Sequence, residues 1–272
     1  LGVVLIRDIV FAPPETRLSN IVRQAVSVRD QTPLDELENL FDENTFTAVP
    51  VVDEENRMLG VVRRRAVYDA VAERADAEHM KSQGIVGGEE LRSMPTQVRS
   101  RRRLAWLSIN IVLNLIAASV IAQFQDVLSA VIVLAVFLPI ISDMSGCSGN
   151  QAVAVSMREL SLGVIKPSDF YYVWRKEAVI GLINGTVLGL LIAGVAWLWQ
   201  GNPWLGLVVG FALSVNTLVA VSIGGTVPVV LKAFKVDPAV ASGPILTTVT
   251  DMCGFFLLLG TASLLLPQLS GG

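Results

Sequence analysis

Of the 272 residues, 52% are hydrophobic and the mean hydropathy is +0.58, which excludes an ordinary soluble domain. The formal net charge of −3 averages two unlike halves, charged up to Arg103 and apolar from Leu104 onward; no nucleic-acid partner is expected. Cys147 and Cys253 both fall in apolar stretches, so no structural disulfide is expected.

The charged half reads as alternating short strands and helices. A strand-like segment, residues 2–6, leads to Arg7-Asp8 and the turn Ala12-Pro13-Pro14. The chain opens at Leu1 beside this strand with no signal peptide, so it reads as a piece that has lost its start. Strand-like Val26-Ser27-Val28 precedes Gln31-Thr32-Pro33, where Thr32 is placed to cap a helix whose first residue is Pro33. That helix, residues 34–44, puts Leu37, Leu40 and Phe41 on one face. Residues 47–52, a turn at Asp53-Glu54-Glu55-Asn56 and residues 58–62 supply two more strands, and a helical run follows from Arg65 to Lys81.

This order resembles a CBS domain with its strand–helix–strand–strand–helix unit, carried by Thr32-Pro33, residues 48–53 and Gly60-Val61-Val62. The resemblance divides the region into residues 1–16, the tail of a first repeat, and 17–66, a second repeat. It implies binding of an adenine nucleotide such as ATP through an Asp at the helix start after the last strand. Asp8 fits that position, whereas the second repeat has Arg63-Arg64-Arg65-Ala66 there, so ATP is the weaker expectation. The plainer reading of the Arg run is a solvated face or a contact with an acidic neighbour.

Residues 67–103 read as an amphipathic connecting helix and linker. Asp69, Glu73 and Asp76 are spaced i, i+4, i+7, which puts three carboxylates on one face. Such a stripe is either a solvated face or a cytosolic sensor for divalent cations. Gly84, Gly87-Gly88 and Pro95 interrupt the chain beyond it, as a hinge would.

Residues 104–272 contain five uncharged stretches long enough to span a bilayer, which takes roughly 20 residues each. They are 104–124, 127–157, 178–199, 205–231 and 238–266, and Asp143 and Asp251 are the only charged residues inside them. Arg101 to Arg103, Arg158, Lys166, Arg175, Lys176, Lys232 and Lys235 all fall on the side of the N-terminal region. The positive-inside rule then puts that region in the cytoplasm and the C-terminus outside a plasma or inner membrane.

Asp251 lies mid-way along the last stretch, with Gly243-Pro244 upstream and Gly254 after it. A carboxylate at that depth is costly unless it faces a cavity, a partner or an ion. A Gly-Pro pair frees backbone carbonyls, so acid and carbonyl oxygens together suit a hard cation. The alternative is an acid that hydrogen-bonds across a helix interface and holds the bundle together. With no Lys, Arg or His at depth, the two acids favour a cation over an anion or a proton relay.

The whole pattern resembles the MgtE family of magnesium channels. It is carried by residues 138–152, from Leu138-Pro139 to the Gly-rich end Gly149-Asn150-Gln151, with Arg175-Lys176-Glu177, Asn216, Pro228, Asp237-Pro238, Gly243-Pro244 and residues 250–254. The fold implied is a partial α/β CBS pair, a plug-like connecting helix and an all-α transmembrane domain of five helices. The function implied is a homodimeric magnesium channel or transporter in the lipid bilayer, gated by cytosolic divalent cation, with Mn2+ or Co2+ able to stand in for Mg2+. The pore ligand implied is Asp251, with Thr247, Pro244, Asn216 and Asp143 as further candidates. Cys147 stands where the family usually has Asn, and Asp143 where it has a small neutral residue; Asp143 either adds a ring of charge or caps the broken end of the second span. Arg65 and Ala66 replace family acids, and the family's N-terminal helical sensor domain is absent from this chain, so weaker gating is expected.

Two other classes stay open: a sodium-coupled or organic-cation transporter regulated by the CBS unit, and a non-transporting membrane sensor of nucleotide. Few aromatics lie near Asp251 to wall an organic substrate, and a mere anchor has no use for a buried acid. No enzyme is expected, since the one histidine, His79, lies in the charged helix and neither cysteine has a base beside it.

Overall fold

The computed structural model describes residues 2–4, 6–85 and 87–270, which form two compact units, Leu1–Ala77 and Glu78–Gly272. In the first unit, β1 (Gly2–Val3) pairs antiparallel with β2 (Arg23–Gln24). The strand expected over residues 2–6 is therefore shorter: Leu5 lies outside the described residues, and Ile6 opens α1 (Ile6–Phe11). Two exposed strands make a marginal ribbon, because no layer covers their side chains.

The second sheet is ordered β3-β4-β5, from Val28–Arg29, Ala48–Val52 and Met58–Arg63. β3 runs parallel to β4, with Val28 opposite Val51, and β5 returns antiparallel. The strand expected at residues 26–28 is displaced onto 28–29, where that parallel register holds it. The helix α2 (Leu34–Glu43) covers the sheet, and Phe41 is 0% exposed beside Val49 and Val67. Thr32 does not cap α2. Pro33 occupies the N-cap position, so Thr32 sits one residue too early, and its Oγ1 instead accepts the Arg29 N–H at 3.0 Å.

The third helix, α3 (Arg64–Ser82), follows β5 without a break. Arg64 turns inward. Its Nε donates to the Phe46 carbonyl at 2.8 Å, Nη2 donates to the Asn44 carbonyl, and the guanidinium lies 5.4 Å from the Phe41 ring centre. The arginine run is thus neither purely solvated nor purely acid-paired, since its middle member satisfies half-buried backbone just past α2. Phe41 sits under all of this. Phe41→Ala is expected to lower the opening free energy of the sheet by about 3–5 kcal/mol, read by hydrogen exchange at β4 amides in the full chain; unchanged protection there would mean the core lies elsewhere.

In the second unit, α4 (Thr96–Ala122) begins eight residues before the apolar stretch and takes in Arg99 to Arg103. The segment ahead of it turns on Gly84, Gly87 and Gly88, with φ of +80°, +106° and +68°. Glu90, 3% exposed at its side chain, accepts from Arg99 Nε at 2.9 Å and Arg103 Nη2 at 2.5 Å. Hydrogen bonds from Arg103 and then Arg99 hold its carboxyl below the usual carboxylate range. This clasp pins the linker onto the start of α4.

The expected second span is two helices, α5 (Gln125–Ala130) and α6 (Leu134–Ser161), with the break at residues 131–133. Then come α7 (Phe170–Gln200), α8 (Pro203–Ala233), α9 (Pro238–Leu264) and α10 (Leu266–Ser270). Among the described residues four helical segments are long and apolar enough to cross a membrane: Thr96–Gln123, Pro167–Gln200, Pro203–Ala233 and Ser242–Leu264. The sequence leads one to expect five. The 28-residue α6 falls outside that set because its middle carries Ser142, Asp143, Ser145, Ser148, Asn150 and Gln151.

α8 is the central helix, packed against α6, α7 and α9. Leu134, Phe137 and Ile141 from α6 meet Leu205, Val208 and Leu213 from α8 and Leu258 and Leu259 from α9. On its other side, α7 presents Gly181, Gly185 and Gly189 to α8 at i, i+4, i+8, so the two backbones touch.

Candidate cation site

α9 starts cleanly. Asp237 caps it by accepting the Ala239 N–H at 3.0 Å, and Pro238 is the first helical residue, where its missing N–H costs nothing. The helix runs unbroken through Gly243 and Pro244, although Pro244 cannot donate to the Val240 carbonyl one turn back. The nearby carbonyls are taken up by hydroxyls rather than left open. Thr247 Oγ1 donates to Gly243 O at 3.1 Å and to Pro244 O at 3.3 Å, and Thr248 Oγ1 donates to Pro244 O at 2.7 Å. Thr247 keeps lone pairs for a further partner, while the Pro244 oxygen already serves two hydroxyls.

Asp251 is half-buried, two turns beyond Pro244 on the same helix. Ser142 Oγ on α6 donates to Asp251 Oδ1 at 2.5 Å. Ser142 was not among the residues the sequence singled out; its adjacency to Asp143 in the Gly-rich stretch was the only signal.

Asn216 on α8 is 0% exposed, with neither side-chain atom hydrogen-bonded. It packs against Gly254, one turn after Asp251, where a Cβ would lie 2.6 Å from Asn216 Nδ2 and 3.1 Å from Ile141. Asn216 therefore lies inside the bundle where α6, α8 and α9 meet. Ser145 and Thr217 are likewise fully buried with unpaired hydroxyls, a polar interior no sequence signal distinguished from ordinary helix packing. Each such group costs about 1–3 kcal/mol if left dry, so this interior is suited to bound water.

Asp143 is exposed on α6, next to Ser142 in the chain and one turn before Cys147, whose thiol lies 4.0 Å from Asp143 Oδ1. α6 is continuous from Leu134 to Ser161, so Asp143 caps no broken end. Both cysteines are free.

The other candidates lie in the first unit. Asp69, Glu73 and Asp76 are exposed on α3, and Arg65 Nε approaches Asp69 Oδ2 at 3.6 Å, so the stripe is partly balanced from its own helix. Asp8, in the first turn of α1, is held by Arg23 Nη2 at 2.7 Å and Arg7 Nε at 3.5 Å. Among the described residues no group of three or more His, Cys, Asp or Glu comes together as a ligand cluster. Asp251 is a single carboxylate with the Ser142 hydroxyl against it.

Residues 138–261 match the model of the MgtE divalent cation transporters, and residues 18–73 match that of the CBS domain. The chain is similar to the magnesium transporter MgtE of Bacillus subtilis, at 32% identity over 274 residues, covering 99% of this chain and 60% of that protein. It is 34% identical to the magnesium transporter MgtE of Thermus thermophilus over 274 residues, 97% of this chain and 59% of that one. For that of Enterococcus faecalis the figures are 32% over 265 residues, 97% and 58%. The chain thus spans about three-fifths of the length of the curated relatives it matches.

Proposed function

We propose that this chain moves magnesium across a membrane through a site at Asp251, a reading that starts from the match of residues 138–261 to the MgtE divalent cation transporter model and of residues 18–73 to the CBS domain model. One observation carries the reading: Asp251, the only charged side chain from Pro238 onward, sits half-buried in a membrane-length apolar helix, matched by a hydroxyl donor and, among the described residues, by no ion pair. Magnesium parts with its waters reluctantly and is usually held through one or two carboxylates with neutral oxygens beside them. Asp251, with Thr247 and the ordered carbonyls of Gly243 and Pro244 two turns away, has that composition. Manganese and cobalt accept the same ligands, so they compete.

A homodimer would bring two copies of Asp251 to a two-fold axis and give a divalent ion two charges. Asp143, exposed on α6, would add charge along the same path. The placement of Lys and Arg supports a cytoplasmic N-terminal region and an external C-terminus in a plasma or inner membrane. A sodium-coupled or organic-cation carrier, and a membrane sensor of nucleotide, fit less well. Asp8 is already engaged by Arg23, which argues against a nucleotide there. Divalent uptake into proteoliposomes, wild type beside Asp251→Asn, tests the proposal: equal rates would remove it.

Gating by cytosolic cation is the finer part of the same proposal. Cation bound at Asp69, Glu73 and Asp76 relieves their mutual repulsion and biases the closed state. Support comes from the last turn of α3, where Lys81 Nζ lies 2.9 Å from Asp237 Oδ2, the cap of the helix that carries Asp251. Millimolar-range magnesium is expected to protect residues 66–100 from protease, and neutralising all three acids is expected to remove that protection. Cleavage that ignores magnesium, with inhibition intact in the triple variant, would leave the stripe a solvated face.

A further inference from the structure

Hydroxyls on the long helices of this bundle have a default partner. Ser148, Thr226, Thr247, Thr248 and Thr261 each donate back to a carbonyl of their own helix, at distances from 2.6 to 3.1 Å. Ser145 and Thr217 do not. Both are 0% exposed with no hydrogen-bond partner among the described residues, and the same holds for the whole amide of Asn216. Their polar atoms are turned off their own helices into the bundle interior.

The three side chains share one level of the bundle. Ile141 and Asn216 both meet α9 at Gly254. Two turns further along α6, a Cβ at Gly149 would lie 3.0 Å from the Ala220 carbonyl and 2.9 Å from Leu246. Ser145 is one turn from each of those contacts, so it stands beside residues 216–220 of α8 and near Thr250 of α9, itself fully buried. There is room at this level. Gly146 is buried, yet nothing lies within 4 Å of a Cβ built on it. Gly146 is also one turn after Ser142 on the same face of α6, and Ser142 Oγ donates to Asp251. The open space therefore has the unpaired interior groups on one side and the Ser142–Asp251 pair on the other.

We infer that Ser145, Asn216 and Thr217 hold internal water beside Gly146, and that this water positions Asp251 from inside the bundle. Water is the ligand this chemistry selects. The Asn216 amide needs an acceptor at Nδ2 and a donor at Oδ1; a cation meets only the oxygen, whereas water meets both. A buried water takes about two to four polar partners, which these side chains supply. Asn216 is then a positioning residue that acts through water rather than a ligand of the transported ion. The water site stands on the packing alone, and only its effect on uptake rests on the transport reading.

Thr217→Val is the main variant, since it exchanges a hydroxyl for a methyl at nearly equal volume. With water held there, it should melt about 2–4 °C lower in detergent, the weight of one hydrogen bond in a chain of this size. Removing a dry, unpaired hydroxyl would shift melting the other way. Water-to-side-chain transfer, read by NMR with nitrogen-labelled asparagine, should reach the Asn216 amide. That signal should vanish in Asn216→Leu and weaken in Thr217→Val and Gly146→Ala. In proteoliposomes, Thr217→Val should raise the magnesium concentration for half-maximal uptake about 2- to 10-fold, with the maximal rate per folded protein kept. A merely structural role would lower the amount of folded protein and leave half-saturation alone. No water transfer to Asn216 in wild type, or a Thr217→Val that melts at or above wild type, overturns the water site. Water transfer with half-saturation unchanged overturns the positioning role. If wild type takes up no magnesium at all, the transport reading fails, and melting with water transfer still decides the site.

Discussion

Asp251→Ala is expected to reduce divalent uptake to background while the protein stays folded. A unit charge about 4 Å from a cation contributes about 4 kcal/mol per unit of ion charge at an effective dielectric of about 20. Losing even one such unit corresponds to about three orders of magnitude in occupancy, and a divalent ion carries two. Folding should survive, because a half-buried acid at membrane depth is a cost to the bundle and its partner Ser142 can turn to its own helix backbone. Asp251→Asn separates the two roles of the side chain: it keeps an acceptor for Ser142 but no charge, and should lose uptake as well. Size-exclusion profiles and isotope uptake, read on the same preparations, check both halves. Wild-type rates in a folded alanine variant would return Asp251 to a helix-interface role.

Gly189→Leu is expected to prevent α7 and α8 from packing. A Cβ at Gly189 would lie 2.6 Å from the Gly210 carbonyl and overlap the Ser214 hydroxyl, and backbone cannot yield as a side chain does. Overpacking in a tolerant site costs about 1–3 kcal/mol; with backbone as the obstacle the loss should exceed the upper figure. Gly194, further along the same helix, has nothing within 4 Å of a built Cβ, so Gly194→Leu is the control. Thermal unfolding in detergent should be lowered sharply for the first and barely for the second. Equal melting would mean the contact between the two backbones is not what holds this pair.

Several elements could be read in the sequence because they follow from local chemistry. Asp237-Pro238 starts α9 through one cap and one proline. The face of α2 that carries Phe41 follows from helical spacing. Other expectations failed where the outcome depended on partners far along the chain. Thr32 lost its capping role by one residue of register, and the strand over residues 2–6 had no layer to bury it. The break between α5 and α6 carries no Pro or Gly, only Val131, Ile132 and Val133, so local signals could not mark it.

The sequence by itself determined the division into a charged and an apolar half, the gathering of the basic residues into alternate connections, and Asp251 as the acid to ask about. Hydropathy and charge are properties of single residues against solvent, so they can be counted without a fold. Tertiary structure alone decided that Ser142 serves Asp251, that Asn216 is buried against Gly254, and that Asp143 and Cys147 stand together on an open face. Those depend on how α6, α8 and α9 rotate about their axes, and rotation is set by the packing of Gly and Leu side chains across helices. No single stretch of chain contains that information.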